Sequence, residues 1–175
     1  ANFTLSTEVS ALGFPVVQKL RRGGFDGRGV QVVNDINEEK IFPGECLLEE
    51  KVNIYKEVSV VVARRGPGDL RAFPPTESVF DHRANVALYM VAPAELETWI
   101  ADKCLQVTTQ LVEELDFIGL LCVELFVVDN EEKTVLVNEI APRCHNSGHH
   151  TIEANATSQF AQLLRVALDL PLGDT

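Results

Sequence analysis

Apolar and polar positions divide the chain into elements before any single residue stands out. Residues 14–19 (FPVVQK) read as a short strand, and the stretch GVQVVND from Gly29 reads as a second, the two forming a hairpin with a long glycine-rich tip. Residues 45–52 (ECLLEEKV) predict another strand. Residues 56–65 (KEVSVVVARR) alternate well enough for a strand in an antiparallel sheet. GPGD at 66–69 is a turn, and LRAFPP after it is an edge strand. VALYMVAPAEL, from Val86, carries a strand that ends at Pro93. Over residues 94–117 the apolar positions Leu96, Trp99, Ile100, Leu105, Val107, Leu111, Val112 and Leu115 recur at three-and-four spacing, the strongest helix signal in the chain. Residues 120–129 and 134–140 predict two strands joined by the turn DNEEK, and residues 151–170 predict a second amphipathic helix ending before Pro171. Strands then helix, hairpin and helix, joined by short turns, imply an α+β fold with a largely antiparallel sheet and helices on one face.

Composition narrows the class. At 175 residues, 46% hydrophobic and 23% charged, the chain can bury a substantial core. Its apolar runs fall short of the ~20 residues a membrane span needs, so no membrane is expected as a partner. The opening ANFTLSTEVSALG lacks the basic and apolar regions of a signal peptide. The formal net charge of −11 disfavours nucleic acid. Against that background KLRRGGFDGRG, 19–29, is a local cluster of cations and glycines. The cysteines Cys46, Cys104, Cys122 and Cys144 form no CxxC pair. Cys104 and Cys122 lie in apolar surroundings and read as buried thiols, which fits a reducing, intracellular compartment.

Four stretches carry candidate chemistry. Glu124 and Glu139 are acids inside otherwise apolar strands, and pairing about the DNEEK turn makes them direct or near-direct neighbours. Facing carboxylates repel unless a cation lies between them, and Mg²⁺ is the natural candidate. The pattern alone equally admits two solvent-facing strand acids. Asn138 adds a neutral oxygen, although alternation sends it to the other face unless the strand bends. The glycine-rich loop is neither a P-loop nor GxGxxG; its glycines could let backbone N–H groups approach phosphates, or it could be a flexible turn with solvated arginines. Lys19, ending a strand just before it, is a phosphate contact or a snorkelling side chain. LLEEKV, 47–52, with Glu57 beyond it, could pair a purine ring and ribose, or could be a strand with ordinary surface acids. In APRCHNSGHH, 141–150, Arg143 could bind an anion. His145 and His149 lack the partner ligands of a zinc site, so a loop turning Arg143, His145 and Asn146 toward a substrate suits the composition better.

Taken together and in order, these stretches resemble the ATP-grasp superfamily. APRCHNSGHHTIEANATSQFAQLLRVALDLPLG resembles the signature of the N5-carboxyaminoimidazole ribonucleotide synthetase family within it. KLRRGGFDGRG, EEKVNIYKEVSVVVAR and VELFV resemble that family's glycine-rich loop, hinge and acidic strand. The resemblance covers about residues 11–175. It implies an ATP-grasp domain with a smaller lobe, about 1–54, and a larger lobe, about 55–175. It also implies a reaction: ATP phosphorylates bicarbonate to carboxyphosphate, and 5-aminoimidazole ribonucleotide takes up the carboxyl group. Carried over by residue, Lys19 contacts ATP phosphates, covered by a loop with Gly23, Gly24, Gly27 and Gly29. Glu49, Lys51 and Val52 line adenine, Glu57 takes ribose, and Asn138 stands beside the metal. Glu124 and Glu139 hold Mg²⁺, Asp26 and Arg28 face the aminoimidazole ribonucleotide, and Arg143, His145 and Asn146 face carboxyphosphate.

The resemblance also implies a cytoplasmic enzyme (an organelle in a eukaryote), small-molecule partners and a homodimeric parent. Phe25, Phe80 and His150 depart from the family's usual Tyr, His and Trp, and Cys144 fills a variable slot; none touches the acid pair. The family's N-terminal domain, C-terminal segment and first ATP-contacting lysine are not in this sequence. It therefore reads as a central portion expected to bind ATP weakly and turn over poorly. Two further readings stand beside this one: another ATP-grasp ligase acting on a different acid and amine, and a non-catalytic ATP-binding domain.

Overall fold

The computed structural model describes residues 1–24, 28–37, 41–81 and 86–175. The chain divides into two units, Ala1–Asn53 and Ile54–Thr175.

In the first unit four antiparallel strands, β1 (Phe3–Ser6), β2 (Val16–Leu20), β3 (Val30–Val33) and β4 (Cys46–Glu50), lie in the order β1-β4-β2-β3. Alternation puts Val16, Val33, Cys46 and Leu48 on one face, where they pack with Val9 from a short 3₁₀ turn. Each such fully buried aliphatic side chain contributes about 1.5–3 kcal/mol relative to exposure. Gln18 is the polar member of that interior: its carboxamide accepts from Phe42 N–H (2.9 Å) and donates to Phe42 C=O (3.0 Å), tying the loop before β4 to β2. The strand β1 was not predicted. Its apolar residues Phe3 and Leu5 are its exposed ones, so its alternation runs opposite to that of a buried strand.

The second unit is built on the thirteen-residue strand β5 (Ile54–Gly66). With β6 (Asp69–Ala72), β7 (Thr76–Asp81), β8 (Val86–Val91), β9 (Gly119–Val128) and β10 (Val135–Ala141) it forms an antiparallel sheet. The order is β10-β9-β5-β7-β8, with β6 paired to β5 off that path. The helices are α1 (Thr98–Glu114), α2 (Thr151–Ala154) and α3 (Gln159–Ala167).

The helices do not share one face of the sheet, contrary to the sequence expectation. Val58, Val60 and Val62 of β5 and Leu121, Val123, Leu125 and Val127 of β9 pack with Ile100, Cys104 and Val112 of α1. Their alternates Val61, Ala63, Leu120 and Cys122 pack with Phe73, Ala141 and the α3 residues Leu163 and Val166. Successive strand residues point to opposite faces, so α1 and α3 cover opposite sides. The run VVVA in β5 has the composition of a strand buried on both faces. The single helix predicted over 151–170 is two helices. Ser158 is extended and its hydroxyl accepts from Ala161 N–H (3.2 Å), an N-cap that starts α3 afresh. Among the described residues no helix is long and apolar enough to cross a membrane.

Candidate functional site

The turn at 129–133 fixes how β9 and β10 pair. Val135, Leu136 and Val137 face Val127, Phe126 and Leu125, then the register slips by one residue at Asn138, and Glu139 faces Glu124. This is a β-bulge, with Asn138 as the extra residue. It changes which face Glu139 occupies. Val137 lies opposite Leu125 on the α1 side; in a regular strand Glu139 would share that side. After the bulge it lies opposite Glu124, on the side of Cys122 and α3. The two carboxylates are therefore direct cross-strand neighbours, Glu124 partly covered and Glu139 exposed. Among the described residues neither forms an ion pair with lysine or arginine.

Among the described residues Glu124 has one cationic partner. His145 Nε2 lies 2.9 Å from its Oε1. The other ring nitrogen, Nδ1, lies 2.8 Å from Ser147 Oγ and 3.3 Å from Ser147 N. These contacts fix the plane of the ring, and its Nε2–H donates to Glu124. The buried Cys122 sulfur first, and the Glu124 carboxylate second, hold the imidazole above its ordinary pKa, against the lowering effect of burial.

The backbone under His145 is gripped by a side chain that the sequence reading quoted but gave no role. Gln159, fully buried at the start of α3, accepts from His145 N–H (3.0 Å) through Oε1 and donates to His145 C=O (2.8 Å) through Nε2. Its polar type at a buried position of an amphipathic helix was the available signal. The neighbours are placed differently. Arg143 is exposed and donates to the Cys144 carbonyl (2.9 Å), and Asn146 is exposed at the start of a 3₁₀ turn. His149 stacks on Phe160, so the two histidines weighed for zinc have different partners.

A second feature of this unit is a cleft of about 140 Å³ lined by Ile54, Tyr55, Lys56, Glu57, Glu77, Ser78, Val79 and Phe80. Glu57, singled out from sequence, is among its walls. Beside it Lys56 Nζ and Glu77 Oε2 form a largely buried ion pair of 2.6 Å, which the sequence reading missed because it spans two strands.

In the first unit, Lys19 Nζ and Glu49 Oε2 are 2.8 Å apart on the adjacent strands β2 and β4. Lys51 and Val52 follow β4, the first exposed and the second half-buried. Of the loop glycines, Gly23 and Gly29 have left-handed φ values of 79° and 84°. A Cβ at Gly24 would lie 2.8 Å from the Arg28 carbonyl. Phe25, Asp26 and Gly27 lie outside the described residues.

No ligand is present, so the chemistry of the donor set decides what could bind. Among the described residues no three His, Cys, Asp or Glu side chains form a closed metal cage. Mg²⁺ does not require one: one or two carboxylates, with waters and substrate phosphates, suffice. Two opposed carboxylates unneutralised by lysine or arginine fit that hard cation.

Comparisons with known proteins address the family rather than the individual side chains. Residues 2–160 match the model of the ATP-grasp domain. The chain is 38% identical to the N5-carboxyaminoimidazole ribonucleotide synthase of Bacillus subtilis (strain 168), over 98% of this chain and 45% of that one. The crystal structure of N5-carboxyaminoimidazole ribonucleotide synthetase from Thermotoga maritima superposes with a TM-score of 0.85 at 38% identity, covering 99% of this chain and 45% of that one. A synthase structure from Aspergillus clavatus, in complex with ADP and 5-aminoimidazole ribonucleotide, superposes with a TM-score of 0.81 at 27% identity, covering 99% and 47%. The chain thus spans about half the length of the relatives it matches. With the family model covering nearly all of it and both units accounted for, the chain belongs to the ATP-grasp domain family.

Proposed function

We propose that this chain is the nucleotide-binding core of a ligase that carboxylates 5-aminoimidazole ribonucleotide, using ATP and bicarbonate. The observation that carries the reading is the Glu124–Glu139 pair set face to face by the Asn138 bulge, with His145 on one of its members. The relative solved with ADP and 5-aminoimidazole ribonucleotide supports the choice of substrates.

The reaction has two displacements. A bicarbonate oxygen attacks the γ-phosphorus of ATP and ADP leaves, giving carboxyphosphate. The substrate amine then attacks the carboxyl carbon, phosphate leaves, and the amine gives up one proton. Such transfers depend on positioning and on charge placed where charge develops. Bound Mg²⁺ supplies concentrated positive charge to the phosphate oxygens. Glu124 and Glu139 hold it, with the Asn138 amide beside them.

Lys19 contacts the phosphates, giving up its ion pair with Glu49. The backbone N–H groups around Gly23, Gly24, Gly27 and Gly29 approach the same oxygens, which side chains at these positions would obstruct. Glu49, Lys51 and Val52 line adenine, and Glu57 takes the ribose hydroxyls. Asp26 and Arg28 face the aminoimidazole ribonucleotide. Arg143, His145 and Asn146 face carboxyphosphate, where a guanidinium, an imidazole N–H and an amide suit its oxygens. The full-length product acts in the cytoplasm, or in an organelle of a eukaryote, as a homodimer.

Titration calorimetry of Mg²⁺-ATP into the chain, wild type against Glu139→Gln, tests the site. Weakening of roughly tenfold or more, about 1.4 kcal/mol, is expected. Equal heats and affinities from the two proteins rule out the metal assignment. Phosphate release by the gene's full-length product tests the reaction; release that needs neither 5-aminoimidazole ribonucleotide nor bicarbonate refutes it.

A further inference from the structure

We propose that Gln159 is a positioning residue: its buried carboxamide grips the His145 main chain from both sides and so aims the His145 imidazole at Glu124. This rests on the reading of Glu124 and His145 as parts of the reactive face, and it concerns a residue that touches neither nucleotide nor substrate in that reading.

The geometry is specific to an amide. His145 N–H and C=O both meet the Gln159 side chain, at 3.0 and 2.8 Å, so the side chain must offer one acceptor and one donor side by side. Gln159 is 0% exposed, so no water stands in for either bond. Its own backbone N–H donates to Thr151 Oγ1 (2.9 Å), whose hydroxyl donates to the Gly148 carbonyl (2.6 Å). Gly148 completes the frame: a Cβ there would sit 2.6 Å from Gln159 Oε1. The loop 145–148 is therefore held at both ends against the first turn of α3. From that fixed backbone the ring reaches Glu124 through Nε2 and Ser147 through Nδ1.

A purely structural role is the competing explanation, and α3 contains its own control. Gln162, one turn further on and also 0% exposed, donates to Gly173 C=O (2.7 Å) and accepts from Gly173 N–H (3.1 Å). It is the same clamp on a residue with no side chain to aim. If both glutamines serve stability alone, removing either has the same kind of effect.

The test is long-range ¹H–¹⁵N correlation of the histidine rings in the whole chain, with urea unfolding measured in parallel. In the wild type, His145 should show Nδ1 and Nε2 shifts clearly separated from the averaged shifts of an exposed ring, because both nitrogens are held in hydrogen bonds. Gln159→Ala should collapse that separation toward the averaged pattern of an exposed ring, while Gln162→Ala leaves it intact despite a comparable loss of stability. Should Gln159→Ala not fold, Gln159→Glu is read in its place, since it keeps an acceptor for His145 N–H and loses the donor to His145 C=O. Unchanged His145 shifts in a folded Gln159 variant overturn the proposal, as does an equal collapse in Gln162→Ala. The spectra need no nucleotide, so failure of the ligase reading in calorimetry is a separate result.

Discussion

Gly148→Ala is a sharp test of how tightly the loop before α2 is packed. A Cβ at this position would lie 2.6 Å from Gln159 Oε1, 2.7 Å from Cδ and 3.1 Å from Nε2. A flexible side-chain end can usually swing aside, but this carboxamide is fully buried and bonded at both ends, so moving it breaks its two bonds to His145. Two hydrogen bonds at about 0.5–1.5 kcal/mol each, with a freed polar group left unsatisfied at about 1–3 kcal/mol, give an expected loss of about 2–6 kcal/mol. The assay is urea unfolding, read as a lower midpoint at unchanged slope. Gly66→Ala is the control, because nothing lies within 4 Å of its Cβ and its φ is not left-handed. It should be neutral, or stabilising by up to about 1 kcal/mol through the unfolded chain. A Gly148→Ala protein within about 0.5 kcal/mol of wild type would show that the clamp relaxes freely, and the reasoning would fail.

Three further outcomes are expected. Native alkylation followed by mass measurement should label Cys144 alone, since Cys46, Cys104 and Cys122 are fully buried; a second adduct on folded protein contradicts the packing. Burial pushes the Cys104 thiol up to about 11 from 9.0. Above about pH 9 the unfolded chain then loses this proton while the folded one keeps it, so stability falls as pH rises toward about 11. The stability gap between wild type and Cys104→Ala should accordingly be smaller at about pH 10.5 than at about pH 8; a constant gap in urea midpoints refutes this. Ser158→Ala removes the cap of α3 and should cost about 1 kcal/mol in the same assay, whereas Ser158→Asp should retain most of it.

Much of the architecture was legible in local pattern. The nearness of Glu124 and Glu139 was legible in two apolar strands about a short polar turn, because a turn fixes register to within a residue; their direct opposition needs the bulge at Asn138. The long helix was legible from its apolar spacing, although residues 94–97 belong to a linking segment held by the Ala94 N–H bond to Pro75 C=O. The sidedness of the sheet was misjudged, since VVVA reads as a strand whether one face or both are covered, and only the destination of α3 decides it. Ser158 carried a readable capping signal that the continuous apolar spacing of residues 151–170 masked. The contact of His145 with Glu124 was not legible. It depends on Gln159, fourteen residues away, reaching back to a backbone, and no periodicity encodes that.

The bulge in β10 has a consequence for how this hairpin can change over generations. Without the extra residue, continuous pairing from Val137 and Leu125 would bring Asn138 opposite Glu124 and turn Glu139 to the α1 side. One deleted residue would thus alter the electrostatics of the face as a charge substitution does, while every side chain named in the site remained in the sequence. In this strand, length is heritable information about charge. An inventory of retained residues cannot report it; only the pairing can.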